Sequence, residues 1–181
     1  MKQKICRYIL FNLLGWRMIG ELPKEPKFIF AAVPHTSNWD FLYGWLTIQA
    51  LDLNVKIFAK DVFFFWPANY VCAFLGVLPV NRRKRTNFVD SVAEELTKAD
   101  ELRLLITPEG TRSYESTLKS GYYHLARKAG VPIVVAGPNF AEKTFTIMPA
   151  RMPLATFEED EAQVIAFCKT QHAYHPKNTF Q

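Results

Sequence analysis

His35 and Asp40 are separated by four residues in His35-Thr-Ser-Asn-Trp-Asp40, just after the apolar run Phe28-Ile-Phe-Ala-Ala-Val33. This puts an imidazole where a buried strand emerges into a loop. The residues that follow, Phe41-Leu-Tyr-Gly-Trp-Leu46, have helical character, so Ser37 reads as an N-cap and Asp40 as its capping-box partner. A carboxylate in a first helical turn can turn back onto a ring nitrogen and fix its tautomer. It also stabilises the imidazolium formed when the other nitrogen takes a proton. The same residues equally suit a plain helix cap beside a satisfied loop histidine. As chemistry, they are a base without a nucleophile. There is no Gly-x-Ser-x-Gly elbow. Cys6, Cys72 and Cys168 have no CxxC spacing and read as reduced, mostly buried thiols of a cytosolic compartment. With four histidines and no HExxH, no metal site is expected. Such a base deprotonates what arrives, either water or a substrate hydroxyl.

A second group follows the buried strand Leu102-Arg-Leu-Leu-Ile-Thr107, which runs into Pro108-Glu109-Gly110-Thr111-Arg112-Ser113. Thr107 to Gly110 suits a type I turn, with proline second and glycine fourth. Arg112, a guanidinium close to a glycine that permits near approach, suits a phosphate or carboxylate. Glu109 reads as the group that orients this arginine or accepts a hydrogen bond from a substrate hydroxyl. In Gly76-Val-Leu-Pro-Val-Asn-Arg82-Arg-Lys-Arg85 another short apolar strand delivers basic residues at its carboxyl end, and Arg82, nearest the strand, is placed to face a cleft.

The elements that must position these groups alternate. Apolar runs at 28–33, 55–59, 77–80, 102–106, 131–136 and 144–148 are separated by helical stretches near 37–51, 62–75, 87–99, 117–129 and 157–172. This is an α/β pattern. At 181 residues and 49% apolar content, the chain suits a single domain, a central mostly parallel sheet flanked by helices. In open sheets of this kind, ligands collect at the carboxyl ends of the strands. Gly130 reads as a helix C-cap, and Thr156-Phe-Glu-Glu159 as the capping box of the last helix. Residues 1–22 read as an N-terminal amphipathic helix ahead of a domain at 23–181. Lys2, Lys4, Arg7 and Arg17 flank an uncharged stretch from Tyr8 to Trp16 that is too short to span about 30 Å of hydrocarbon. Core packing explains the same pattern nearly as well. The uncharged segment Val62–Val80 is broken by Pro67, Asn69, Gly76 and Pro79, and reads as a buried or chain-lining helix followed by a strand.

The order His35-x4-Asp40, Gly76 to Arg82, Glu109-Gly-Thr-Arg112 and Val131-Pro-Ile-Val134 resembles the four-motif signature of the glycerophospholipid acyltransferases, a family that includes the 1-acylglycerol-3-phosphate acyltransferases. The resemblance runs from about Phe28 to Ala136. It implies that His35 is the general base, that Asp40 supports it, and that Arg82 with Glu109, Gly110, Thr111 and Arg112 binds the phosphate of the acceptor. Lys60, and Lys119 with Gly121, also match positions the family often fills. Pro34 replaces the usual asparagine, Thr107 the usual phenylalanine, and the fourth motif continues as Val134-Val-Ala-Gly-Pro-Asn139. These departures bear on the acceptor and leave the His–Asp pair intact.

The resemblance implies transfer of an acyl group from acyl-CoA or acyl carrier protein to the hydroxyl of a lysophospholipid, with lysophosphatidate the expected acceptor and no cofactor. An activated thioester explains why no serine is needed. Opposed effects of Asp40 and the helix N-terminus are expected to leave His35 near about 6.5, and backbone N–H groups at Asn38 and Trp39 to steady an oxyanion. The net charge of +5 suits anionic lipid or acidic carrier protein, and the scattered basic residues carry no nucleic-acid motif. The expected location is peripheral, on the cytoplasmic face of the inner membrane. Two other readings use the same features: a hydrolase that turns the pair on water, and a lipid-binding protein without turnover.

Overall fold

The structure, a computed structural model, describes residues 2–60, 70, 77–80 and 85–180, and their side chains apart from 58–60, 77–80, 85–88 and 91. The expected helix near 62–75 and Arg82 lie outside the described residues, as does the side chain of Lys60. In chain order the elements are α1 (Lys2–Arg7), continued by a π-helical turn Tyr8–Leu13, then β1 (Arg17–Ile19), β2 (Lys27–Ala32), α2 (Asn38–Ala50), β3 (Val55–Lys60) and β4 (Val77–Val80). These are followed by α3 (Arg85–Lys98), β5 (Leu102–Ile106), α4 (Gly121–Ala129), β6 (Ile133–Asn139), β7 (Thr144–Ile147) and α5 (Phe157–Thr170). The seven strands lie in the order β1-β7-β6-β2-β5-β3-β4. Every pairing is parallel except β6 with β7.

The central strands are apolar on both faces because both faces are covered. Ile29, Ala31 and Val33 point into one layer with Leu104, Ile133 and Val135, where residues of α3, α4 and α5 meet them. The alternate residues Phe28 and Phe30 join Val134, Ala136 and Ile48 in the other layer, beneath α2. Alternation with a period of two sends neighbours in the chain to opposite cores. Each of these fully buried side chains contributes roughly 1.5–3 kcal/mol.

Helix α2 is apolar nearly all round, which a helix on one face of a sheet does not need. Its other side is covered by the N-terminal segment: Cys6, Leu10 and Trp16 pack with Leu46 and Ala50, and Trp16 stacks on Tyr43 with ring centroids 4.4 Å apart. The 1–22 segment therefore shares a core with the domain, and its Arg17–Ile19 adds a strand, parallel to β7, that the sequence reading did not anticipate. Ile5, Tyr8 and Leu13 remain exposed on its outer side. No described helix is long and apolar enough to cross a membrane.

Two boundaries differ for visible reasons. The helix expected from 117 starts at Gly121 because the preceding backbone is used elsewhere. Leu118 N–H donates to Glu161 Oε1 at 2.6 Å and Lys119 N–H to the Pro108 carbonyl at 2.7 Å. The strand expected at 131–136 begins after Pro132 and extends to Asn139, where β7 pairs with it. Gly130 ends α4 at φ +66, and Thr156 with Glu159 forms the capping box of α5.

Candidate active site

β2 and β5 are adjacent and parallel, with Ala31 opposite Ile106, so the turns leaving their carboxyl ends emerge side by side. One turn carries His35 and the other Glu109. The backbone N–H of His35 donates to both carboxylate oxygens of Glu109, each at 3.1 Å. Glu109 is only 2% exposed. That burial pushes its carboxyl up to about 7, against the downward pull of the bond from His35, while the Asp40 charge adds a smaller upward push. Glu109 thus grips the loop of the base and does not orient Arg112. The turn directs it inward, with Gly110 N–H bonded to the Thr107 carbonyl at 3.0 Å and Gly110 at φ +69.

Asp40 serves the helix first. Its Oδ2 accepts the N–H of Thr36 at 2.5 Å and of Ser37 at 2.6 Å, while Ser37 Oγ accepts the N–H of Trp39 at 3.1 Å and of Asp40 at 3.3 Å. The same Oδ2 lies 3.9 Å from His35 Nδ1, and Oδ1 is buried with no hydrogen-bond partner among the described residues. Capping and pairing with His35 therefore coexist in one carboxylate. A separation of 3.9 Å is an ion-pair distance, and catalytic contacts commonly tighten only when substrate binds. The N–H of Trp39, expected to serve an oxyanion, is already engaged by Ser37.

His35 does not sit at its ordinary value. Burial holds the imidazole below 6.5, with Asp40 pushing it up and Arg112 pushing it down. It is therefore neutral at pH 7, the form that accepts a proton. Arg112 reaches across to donate to Asn38 Oδ1, which ties the second turn to the first residue of α2. Lys119 runs over Gly110, where an added Cβ would meet its Cγ at 3.3 Å, and its ammonium lies 3.6 Å from Glu115. Thr111 Oγ1 accepts the N–H of Ser113 at 3.3 Å. His35, Asp40, Glu109 and Arg112 are thus brought together, with Gly110, Thr111 and Lys119 alongside.

Two spaces flank the turn. An apolar cleft lies between α2 and the sheet, with His35 and Asp40 among its lining residues together with Ile48, Leu51, Leu53 and Ile57; counted to its mouth it has about 700 Å³ of empty volume. At 1.5 Å per residue, the helix between Asp40 and Leu51 runs for about 16 Å. On the other side an open polar groove is bounded by Asn38, Trp39, Arg112, Tyr174 and His175. Reading the sequence missed Tyr174 and His175, which nothing local marks. It also missed Gly137, where an added Cβ would stand 1.7 Å from the Val33 carbonyl oxygen. A glycine inside an apolar strand does signal a close backbone approach.

The family described as Acyltransferase matches residues 17–137, a span that includes both turns. The chain belongs to this acyltransferase family. It is 32% identical over 142 residues to a 1-acyl-sn-glycerol-3-phosphate acyltransferase of Saccharomyces cerevisiae, covering 71% of this chain and 45% of that protein. Against the protein of the same description from Haemophilus influenzae it is 29% identical over 132 residues, covering 69% and 55%. The chain thus spans about half the length of the curated relatives it matches. The fold resembles that of the 1-acyl-sn-glycerophosphate (LPA) acyltransferase PlsC from Thermotoga maritima, with a TM-score of 0.64 and 20% identity over 93% of this chain and 77% of that one. In this acyltransferase-family chain, the match stops at residue 137. The groove residues Tyr174 and His175 lie beyond it.

Proposed function

We propose that the chain is an O-acyltransferase that moves a fatty acyl group from an acyl thioester, on coenzyme A or acyl carrier protein, to the hydroxyl of a lysophospholipid, lysophosphatidate first among them. The observation that carries this reading is that His35 lines an apolar cleft while the residues that follow it, Thr36 to Trp39, border a polar groove that holds Arg112. A fatty acyl chain suits the first, and a phosphate-bearing acceptor the second. His35 Nδ1 faces Asp40, which leaves Nε2 to take the proton of the acceptor hydroxyl. The oxygen attacks the thioester carbonyl, the C–O bond forms, the C–S bond breaks, and the imidazolium returns its proton to the departing thiolate. Glu109 fixes the backbone of the base from below, and Arg112 supplies the positive charge at the mouth. Lys60, Arg82 and Lys119 are assigned to substrate binding on the resemblance of their motifs.

The exposed Ile5, Tyr8 and Leu13, set among Lys2, Lys4 and Arg7, support peripheral contact with a lipid surface. The test is transfer itself: labelled acyl thioester is incubated with the chain and lysophosphatidate, and the lipid products are weighed by mass spectrometry. Labelled diacyl product is expected. Release of free fatty acid at the same rate with and without acceptor would assign the pair to hydrolysis instead.

A further inference from the structure

We propose that the C-terminal segment Tyr174–Asn178 completes a cradle for a phosphate monoester, with His175 and Asn178 donating alongside Arg112. The segment leaves α5 and is fastened over the histidine turn at several points. The N–H of Phe140 donates to the His172 carbonyl at 2.9 Å. The Tyr174 ring packs edge-on against Phe140 at 5.2 Å and, tilted by 32°, against Trp39 at 6.2 Å. The N–H of His175 donates at 3.1 Å to Thr36 Oγ1, and Thr36, the residue next to the base, is only 2% exposed. Beyond it, buried Thr179 meets Cys168 Sγ at 3.0 Å, and Phe180 meets Tyr114 at 6.2 Å. A short run anchored before and after in this way holds its intervening side chains in place over the groove.

Those side chains have a common chemistry. Asn38, Trp39, Arg112, Tyr174, His175 and Asn178 border the groove, and no carboxylate is among its described lining residues. Arg112 forms no ion pair with a described carboxylate; its partner is the amide oxygen of Asn38. A guanidinium with no counter-charge among the described residues, in one groove with an imidazole and an amide, suits an oxygen-rich anion, and its planar fork matches phosphate. The segment lies outside residues 17–137, the span matched to the family. The proposal rests on the acyl-transfer reading for its substrates. Two of them bring a phosphate monoester: the acceptor headgroup, and the nucleotide end of a coenzyme A donor.

The test measures KM and kcat for His175→Leu and Asn178→Asp. Acceptors are lysophosphatidate and monoacylglycerol, which lacks the phosphate; donors are acyl-CoA and acyl-pantetheine, which lacks the nucleotide. Loss of a hydrogen bond to a charged group predicts a KM rise of roughly 10-fold for the phosphate-bearing substrate, with a much smaller change in kcat. A rise confined to lysophosphatidate assigns the cradle to the acceptor, and one confined to acyl-CoA assigns it to the donor. A loss of kcat alone, or equal effects on substrates with and without phosphate, would overturn the proposal. Inorganic phosphate binding, titrated by calorimetry in the wild-type chain and both variants, reads the cradle without turnover. If the wild-type chain transfers nothing, the function fails; weaker phosphate binding by the variants would still uphold the cradle, and equal binding would overturn it.

Discussion

At the scale of residues, two titrating side chains stand on adjacent turns, and the carboxylate of Glu109 holds the backbone of His35. His35 is held below 6.5 mainly by burial. The acid limb of the kcat/KM profile, which reports the free enzyme's base, should therefore fall below pH 6.5. Arg112 contributes to that depression, so Arg112→Gln should move the limb upward, whereas Asp40→Asn, which removes a group that raises His35, should move it down and slow the reaction. A limb that stayed in place in both variants would mean that His35 is not the titrating base. Glu109, at about 7, titrates close by, so the profile is best recorded in Glu109→Gln as well.

Glu109 also makes a stability prediction whose sign is fixed. Its folded value of about 7 stands above the ordinary glutamate value of 4.5. Below 4.5 both states are protonated. As pH rises from there the unfolded chain releases its proton while the folded chain retains it, so stability falls until pH passes about 7 and then levels, a loss of roughly 3 kcal/mol at about 1.4 kcal/mol per unit. Between about pH 5 and about pH 8, Glu109→Gln should lose this downward contribution to the denaturant midpoint and keep the opposing rise that His35, held below 6.5, gives. A midpoint difference in that variant unaltered from the wild-type chain would show that another group governs the slope. The pairing of Glu109 with the His35 backbone was not legible in the sequence. Its turn was, but which way a carboxylate faces after a turn depends on the neighbouring strand, here β2, and neighbours are set by sheet order.

At the scale of elements, the approach of β6 to the end of β2 places the base. Gly137 admits the Val33 carbonyl, which a Cβ would meet at 1.7 Å. Gly137→Ala should therefore destabilise the domain by about 1–3 kcal/mol and impair activity further, because Val33 leads directly to His35. Equilibrium unfolding beside an activity assay measures both. A fully stable, fully active alanine variant would show that the β2 end can move aside freely. Strands of alternating or continuous apolar character and the capping boxes at Ser37 and Thr156 were readable because their causes are local. The short β1 was not: three residues with no pattern of their own are held by pairing with β7.

The N-terminal segment belongs to this scale too. Its inner face covers α2, so deleting it would uncover Leu46 and Ala50 as well as removing any lipid contact. Point substitutions on the outer face separate the two roles. Tyr8 is 63% and Leu13 71% exposed, so Tyr8→Asp with Leu13→Asp should reduce flotation with anionic vesicles while leaving the melting temperature close to that of the wild-type chain. Each nearby Lys or Arg contributes about 1 kcal/mol to such contact, and salt should screen that share. Flotation that ignored both the substitutions and the salt would move the lipid contact elsewhere.

At the scale of the whole molecule, three layers place both turns at the carboxyl edge of one sheet, with α2 roofing the apolar cleft and the C-terminal segment walling the polar groove. The signature from His35 to Val134 was legible because its residue types must stand at fixed spacings to do their chemistry. The contribution of residues 172–178 was not, since it depends on where α5 ends in space. The most direct measurement of the central claim is acyl transfer from a labelled thioester to lysophosphatidate by the wild-type chain and by His35→Ala, with folding checked by circular dichroism. The account predicts diacyl product from the first and a loss of roughly 100-fold or more in the second at undiminished helix content. Transfer at the wild-type rate by a folded His35→Ala chain would contradict it.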